Sequence, residues 1–148
     1  MRALALDVGT RTIGLALSDP DGILASPWET LRRRGEAADV TELLRRIDDR
    51  EVRQVVVGLP LELDGREGRR ARRVRQLIDA LAQALRERSG EPVAIDTWDE
   101  RFSSAEADRA LRHVDMSRAQ RRDKIDAVAA QIILQGWLDL RRAPEAMA

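Results

Sequence analysis

The sequence predicts an α/β domain built on a five-stranded mixed sheet, three antiparallel strands followed by two parallel ones, flanked by helices. Three observations carry that expectation. The first thirty or so residues hold three short apolar runs separated by turn-forming residues, and two further apolar runs each follow a stretch of helical periodicity. The chain's 148 residues suit one domain over 1–148. With 43% hydrophobic and 35% charged residues, the composition is that of a globular chain rather than a disordered one.

The elements follow in order. Ala3 to Val8 is apolar except for Asp7 and runs into Gly9-Thr10, so it reads as a buried strand ending in a turn. Thr12 to Leu17 follows at hairpin distance, and Asp19-Pro20-Asp21-Gly22 is a strong turn signal. Ile23 to Leu31 gives a third strand, with Pro27 pointing to an edge or an irregularity. Ala37, Val40, Leu43, Leu44 and Ile47 predict a helix over 36–49, and Val52 to Leu59 a buried strand closed by Gly58 and Pro60. A long helix over 67–88 turns Val74, Leu77, Ile78, Leu81 and Leu85 inward. Val93 to Trp98 is the fifth strand. Ser103 or Ser104 caps a short helix through Leu111, with Glu106 placed for a capping box, and 113–119 is a loop. The last helix spans Gln120 to Leu140, with Trp137 and Leu138 assigned to the core, and a short tail covers 141–148.

Strands four and five are each reached through a helix, so they should lie parallel to the first. Asp7, Gly58 and Trp98–Glu100 then share one sheet edge, where α/β sheets gather their ligands.

Composition narrows the chemistry. There is no cysteine and a single histidine, His113, which removes thiolate nucleophiles and multi-histidine metal sites. A bound metal must be held by carboxylates, which favours Mg²⁺ or Mn²⁺. No apolar run approaches the roughly 18 residues of a membrane span, and Asp7 arrives too early for a signal-peptide core. A cytoplasmic protein with no membrane partner is expected.

Three acidic positions stand out. An aspartate ending an apolar strand, as Asp7 does, is costly to bury without a cation or hydrogen-bond donors; it reads as a metal ligand or as a turn residue accepting backbone amides. Asp99-Glu100 reads as a second acidic site or as the polar end of a strand. Asp126, with Asp123 one turn earlier, borders the apolar face made by Ile125, Val128, Ala129, Ile132 and Ile133, and reads as a ligand or as a dipole partner near a helix N-terminus. Gathered at one rim, such acids repel one another, and a bound cation relieves the repulsion.

Four segments, LALDVGTRTIGLALSD at 4–19, VVVGLPLELDG at 55–65, WDERFSSAEA at 98–107 and KIDAVAAQIILQ at 124–135, resemble the YqgF/RuvX family of the ribonuclease H-like superfamily. They occur in the family's order and spacing and span nearly the whole chain; Phe102, where many relatives carry leucine, is a minor departure. The resemblance implies a ribonuclease H-like fold and a metal-dependent nuclease working by two-metal hydrolysis. By motif position it carries Asp7, Glu100 and Asp126 over as catalytic metal ligands and assigns no role to Asp123. Members are described as nucleases that mature the 5′ end of pre-16S ribosomal RNA or as Holliday-junction resolvases.

Of 26 basic residues only Lys124 is lysine, and six arginines fall between 66 and 75 with Glu67 the sole acid among them. Arg69, Arg70, Arg72 and Arg73 are therefore candidate phosphate contacts, since guanidinium groups pair phosphate bidentately. Arg11, Arg101 and Lys124 join them from the motif regions. Thr10, beside Arg11, could touch the backbone too. Four aromatics (Trp28, Trp98, Phe102, Trp137) offer no base-stacking platform, so recognition of structured RNA or branched DNA should rest on backbone and shape. Two alternatives stay open: a phosphate-binding ATPase, which the DVGT turn also suits, and a non-catalytic nucleic-acid-binding module of the same fold. The chain is expected as a monomer or a homodimer; cutting two strands symmetrically would favour the latter.

Overall fold

Period-two alternation in the first strand, β1 (Arg2–Val8), sorts the molecule into two layers. Leu4, Leu6 and Val8 point to one side and enter a large aliphatic core; Ala3 and Ala5 point to the other, and the same period puts Asp7 with them. In the computed structural model the described residues are 1–100 and 118–147, with side chains over 1–100 and 125–142.

The remaining elements are β2 (Thr12–Ser18), β3 (Ala25–Arg32), α1 (Glu36–Asp49), β4 (Val52–Leu59), α2 (Arg69–Glu87), β5 (Ala94–Asp99) and α3 (Arg118–Met147). The sheet order is β3-β2-β1-β4-β5. β1 runs antiparallel to β2, and β2 to β3, while β4 is parallel to β1 and β5 to β4. This is the topology the sequence predicts.

Two helices cover the aliphatic face. Val40, Leu43 and Ile47 of α1 and Val74, Leu77, Ile78 and Leu81 of α2 close over Leu4, Leu6, Ile13, Leu15, Val55 and Val57. Each such side chain, fully buried, contributes about 1.5–3 kcal/mol. α3 covers the opposite face through Ala130, Ile133, Leu134, Trp137 and Leu138. That face is paved with small residues, Ala3, Ala5, Gly14, Ala16 and Gly58, so the helix approaches the strands closely. Trp137 and Leu138 are core, as expected, and the Trp137 indole N–H donates to Asp96 Oδ2 at 3.1 Å.

Where boundaries differ from expectation, a local interaction explains the difference. β3 begins at Ala25 rather than Ile23 because Asp19 Oδ1 accepts from the backbone N–H of Ile23 (2.7 Å) and of Leu24 (2.9 Å), holding both in the turn. Pro27 does mark an irregular edge strand: Leu15 pairs with Glu29 and Ala16 with Pro27, which leaves Trp28 as the extra residue of a bulge. α2 begins at Arg69, two residues late, with Glu67 outside the helix and bound to Arg75 at 3.0 Å. α3 continues through the segment expected as a tail. Within that extension Arg141 stacks on the Trp137 ring at 4.5 Å. The short helix expected through Leu111 lies outside the described residues, as does the expected loop over 113–119 as far as residue 117; its last two residues, Arg118 and Ala119, are already helical, so α3 starts two residues before the expected Gln120.

Candidate active site

The C-terminal ends of the parallel strands bring the acidic candidates together. Asp7 stands at the penultimate position of β1, and Glu100 directly follows β5, where its backbone N–H donates to the Leu59 carbonyl at 3.3 Å. Their carboxyl groups are hydrogen-bonded to each other. Asp126, on α3, places its charge against Asp7, and its Oδ2 accepts a hydrogen bond from Thr12 Oγ1 at 2.7 Å.

Two glycines make this convergence possible. Gly14 lies opposite Asp7 in the β1–β2 ladder, and a Cβ there would collide with the Asp126 backbone. Gly58, at the end of β4, leaves the space filled by the Glu100 carboxylate and the Ile133 side chain; a Cβ would strike both. Each absent side chain is what lets an acid reach the cluster.

Burial drives the Glu100 carboxyl up to about 9, with the Asp7 charge and their mutual hydrogen bond adding to it; Asp99 pushes the same way and Arg70 opposes. Asp7 is raised as well, first by burial and then by Asp126, against the hydrogen bond from Glu100 and the Arg70 charge. At neutral pH the pair therefore retains a proton shared between its two carboxyls. Such an arrangement is the chemistry of a hard-cation site: all-oxygen donors, mutually repelling, and holding a proton that a divalent ion would displace. Among the described residues no group of three Asp, Glu, His or Cys side chains is already gathered as a complete cage. Two carboxyls are in contact, and the third is held alongside by Thr12.

The basic candidates divide on inspection. Arg66 is bound to Asp64 (2.6 Å) and Arg75 to Glu67 (3.0 Å). Arg69, Arg70, Arg72 and Arg73 are exposed in the first turns of α2, where no acid offsets them and the helix dipole opposes them. Arg70 is the one whose charge acts on both Asp7 and Glu100. Arg11 is exposed at the β1–β2 turn, its carbonyl accepting from the Arg33 N–H at 2.8 Å. Arg101 and the side chain of Lys124 lie outside the described residues. Thr12 and Gly14 escaped the sequence reading. The hairpin length that pairs Val8 with Ile13 would have pointed to them, because it sets Gly14 beside Asp7.

A family model described as RuvX, Holliday junction resolvase, matches residues 1–140. The chain belongs to the RuvX family. This RuvX chain is 48% identical over 145 residues to a Myxococcus xanthus (strain DK1622) protein named "Putative pre-16S rRNA nuclease", covering 98% of this chain and 92% of that one. A Clostridium botulinum (strain Hall) protein of the same name is 41% identical over 139 residues, covering 94% and 97%. Among solved structures, Thermus thermophilus RuvC in complex with a Holliday junction superposes with a TM-score of 0.58 at 15% identity, covering 95% of each chain. That likeness speaks for the fold, which is RuvC-like and thus ribonuclease H-like, as the sequence motifs implied. The RuvX family is one of nucleases, so the chain is classed as a phosphodiester hydrolase.

Proposed function

We propose that this RuvX protein is a divalent-metal-dependent nuclease that processes the 5′ end of precursor 16S ribosomal RNA. The observation that supports it best is the Asp7–Glu100 carboxyl pair at the parallel strand ends with Asp126 beside it. Asp7, Glu100 and Asp126 would hold Mg²⁺ or Mn²⁺. When bound, the metal supplies charge neutralisation at the scissile phosphate and lowers the pKa of the attacking water. The chain's own groups do the rest. Thr12 fixes the Asp126 carboxylate before substrate arrives, and Gly14 and Gly58 hold the acids at close range. Arg70 offsets part of the negative charge that the three acids concentrate. Arg69, Arg72 and Arg73, with Arg11, Arg101 and Lys124, would grip the phosphate backbone without reading sequence.

A second reading, cleavage of branched DNA, draws support from the family description and from the fold shared with a junction-bound resolvase. Symmetric cutting of a junction would favour a two-fold dimer. The two are separated by offering the purified protein a 16S precursor with its 5′ extension and a four-way DNA junction, each with Mg²⁺, Mn²⁺ or EDTA. The proposal expects metal-dependent removal of the RNA extension at a rate exceeding that on the junction. Preferential paired incisions in the junction would replace it with the second reading, and cleavage that persists in EDTA would refute metal dependence.

A further inference from the structure

Beside the carboxyl pair, on the side of the sheet covered by α2, lies a cleft of about 410 Å³ lined by Val8, Gly9, Thr10, Arg33, Pro60 and three α2 residues, Arg70, Arg73 and Val74. Among the described residues three arginines and no acid line it. They are not equivalent. Arg33 is a structural clamp: its Nε donates to Asp39 Oδ2 at 3.0 Å and its Nη1 to the Gly9 carbonyl at 2.9 Å, and Asp39 is only 4% exposed. Its charge is balanced within the fold. Arg70 and Arg73 have no hydrogen-bond or salt-bridge partner among the described residues, whereas Arg66 and Arg75 on the same basic segment are both neutralised. The cleft thus carries two guanidinium groups that no ion pair among the described residues ties down, Arg73 and the Arg70 that faces the acids, beside the apolar Val8, Pro60 and Val74.

Its position gives those charges a use. Val8 and Gly9 directly follow Asp7, and the Arg70 charge is felt by Asp7 and Glu100, so the cleft adjoins the carboxyl pair. The recess opens within three residues of Asp7, at Val8, Gly9 and Thr10, so a strand held at the acids would pass beside it. We propose that the cleft is a docking site for a non-scissile phosphodiester of the bound strand, gripped by Arg70 and Arg73 with the Thr10 hydroxyl at its rim. Arg70 and Arg73 would thereby set which linkage meets the acids, while Arg69 and Arg72, which do not line the cleft, add only unspecific attraction. The proposal deepens the nuclease reading and rests on it for what becomes of the strand, not for binding.

The test measures binding in EDTA, where no metal-dependent cleavage occurs. The probe is a labelled RNA hairpin with a 5′ extension, made as a set in which one phosphodiester at a time is replaced by an uncharged methylphosphonate. Wild-type protein should lose roughly threefold to tenfold in affinity at one linkage beyond the small uniform loss expected from removing any one charge. In Arg73→Gln that linkage should behave like the others, while Arg86→Gln, which removes the same charge at the far end of α2, should keep the wild-type pattern. A flat profile in the wild type, or an unaltered peak in Arg73→Gln, overturns the proposal. Cleavage of the unmodified hairpin in Mg²⁺ is scored separately. A position-specific peak without cleavage would sink the nuclease reading and leave the cleft standing; cleavage with a flat profile would do the reverse.

Discussion

Replacing Glu100 by glutamine should make the metal-free protein more stable at neutral and alkaline pH. The carboxyl of Glu100 ionises near 4.5 when exposed and is pushed up to about 9 in the folded chain by burial and by Asp7. A raised acid stabilises the fold fully below its unfolded value and loses that contribution as pH rises through the folded one. Between those limits stability falls by up to about 1.4 kcal/mol per pH unit, so the ceiling between about pH 5 and pH 8 is roughly 4 kcal/mol. Water penetration and rearrangement around a partly exposed pair reduce this to on the order of 1–3 kcal/mol. Glutamine keeps the shape and can still donate to Asp7, but carries no charge to bury. Urea denaturation in EDTA should therefore show Glu100→Gln exceeding wild type near pH 8, with the gain shrinking towards pH 5. Added Mg²⁺ should stabilise the wild type and leave the variant nearly unmoved. A variant no more stable than wild type at pH 8, or equally advantaged at both pH values, would refute the reasoning.

Three further substitutions probe how the site is assembled. Gly14→Ala should cost about 1–3 kcal/mol in chemical denaturation and lower cleavage further than the stability loss explains, because its methyl displaces the Asp126 backbone. Thr12→Val removes the donor at 2.7 Å from Asp126 Oδ2 and should weaken Mn²⁺ binding by calorimetry while changing nucleic-acid affinity in EDTA little. Trp137→Phe removes the indole donor to Asp96 and should lower stability by about 0.5–1.5 kcal/mol without altering metal affinity, since Asp96 lies outside the carboxyl cluster.

Much of this was legible in the chain because the strongest signals are local. Val52–Leu59 ends in an apolar stretch, Val55–Val57 and Leu59, buried on both faces, and the expected boundaries match the structure. Pro27 announced the edge strand and its bulge for a reason confined to one residue. Asp7 stood out because an acid at the end of an apolar strand is costly wherever the chain goes next. What escaped depends on contacts across long separations. Thr12 and Asp126 are 114 residues apart, and nothing in the spacing of either says that they meet. Gly14 reads as an ordinary strand glycine until α3 is known to pass over it. The sequence singled out Arg69, Arg70, Arg72 and Arg73 from the basic run; the fold adds that Asp64 and Glu67 neutralise Arg66 and Arg75 and that Arg70 and Arg73 share a cleft.

The central claim is that Asp7, Glu100 and Asp126 jointly hold the metal ions that cut nucleic acid. It is met most directly by single-turnover cleavage of a 5′-extended 16S precursor in Mn²⁺, comparing wild type with Asp7→Asn, Glu100→Gln and Asp126→Asn, each purified free of host nucleases and shown to be folded. The account predicts that all three variants lose cleavage by at least about a hundredfold, as expected when a group that stabilises charge in the transition state is removed, while still binding the RNA in EDTA. Wild-type rates in any one of the three would contradict it.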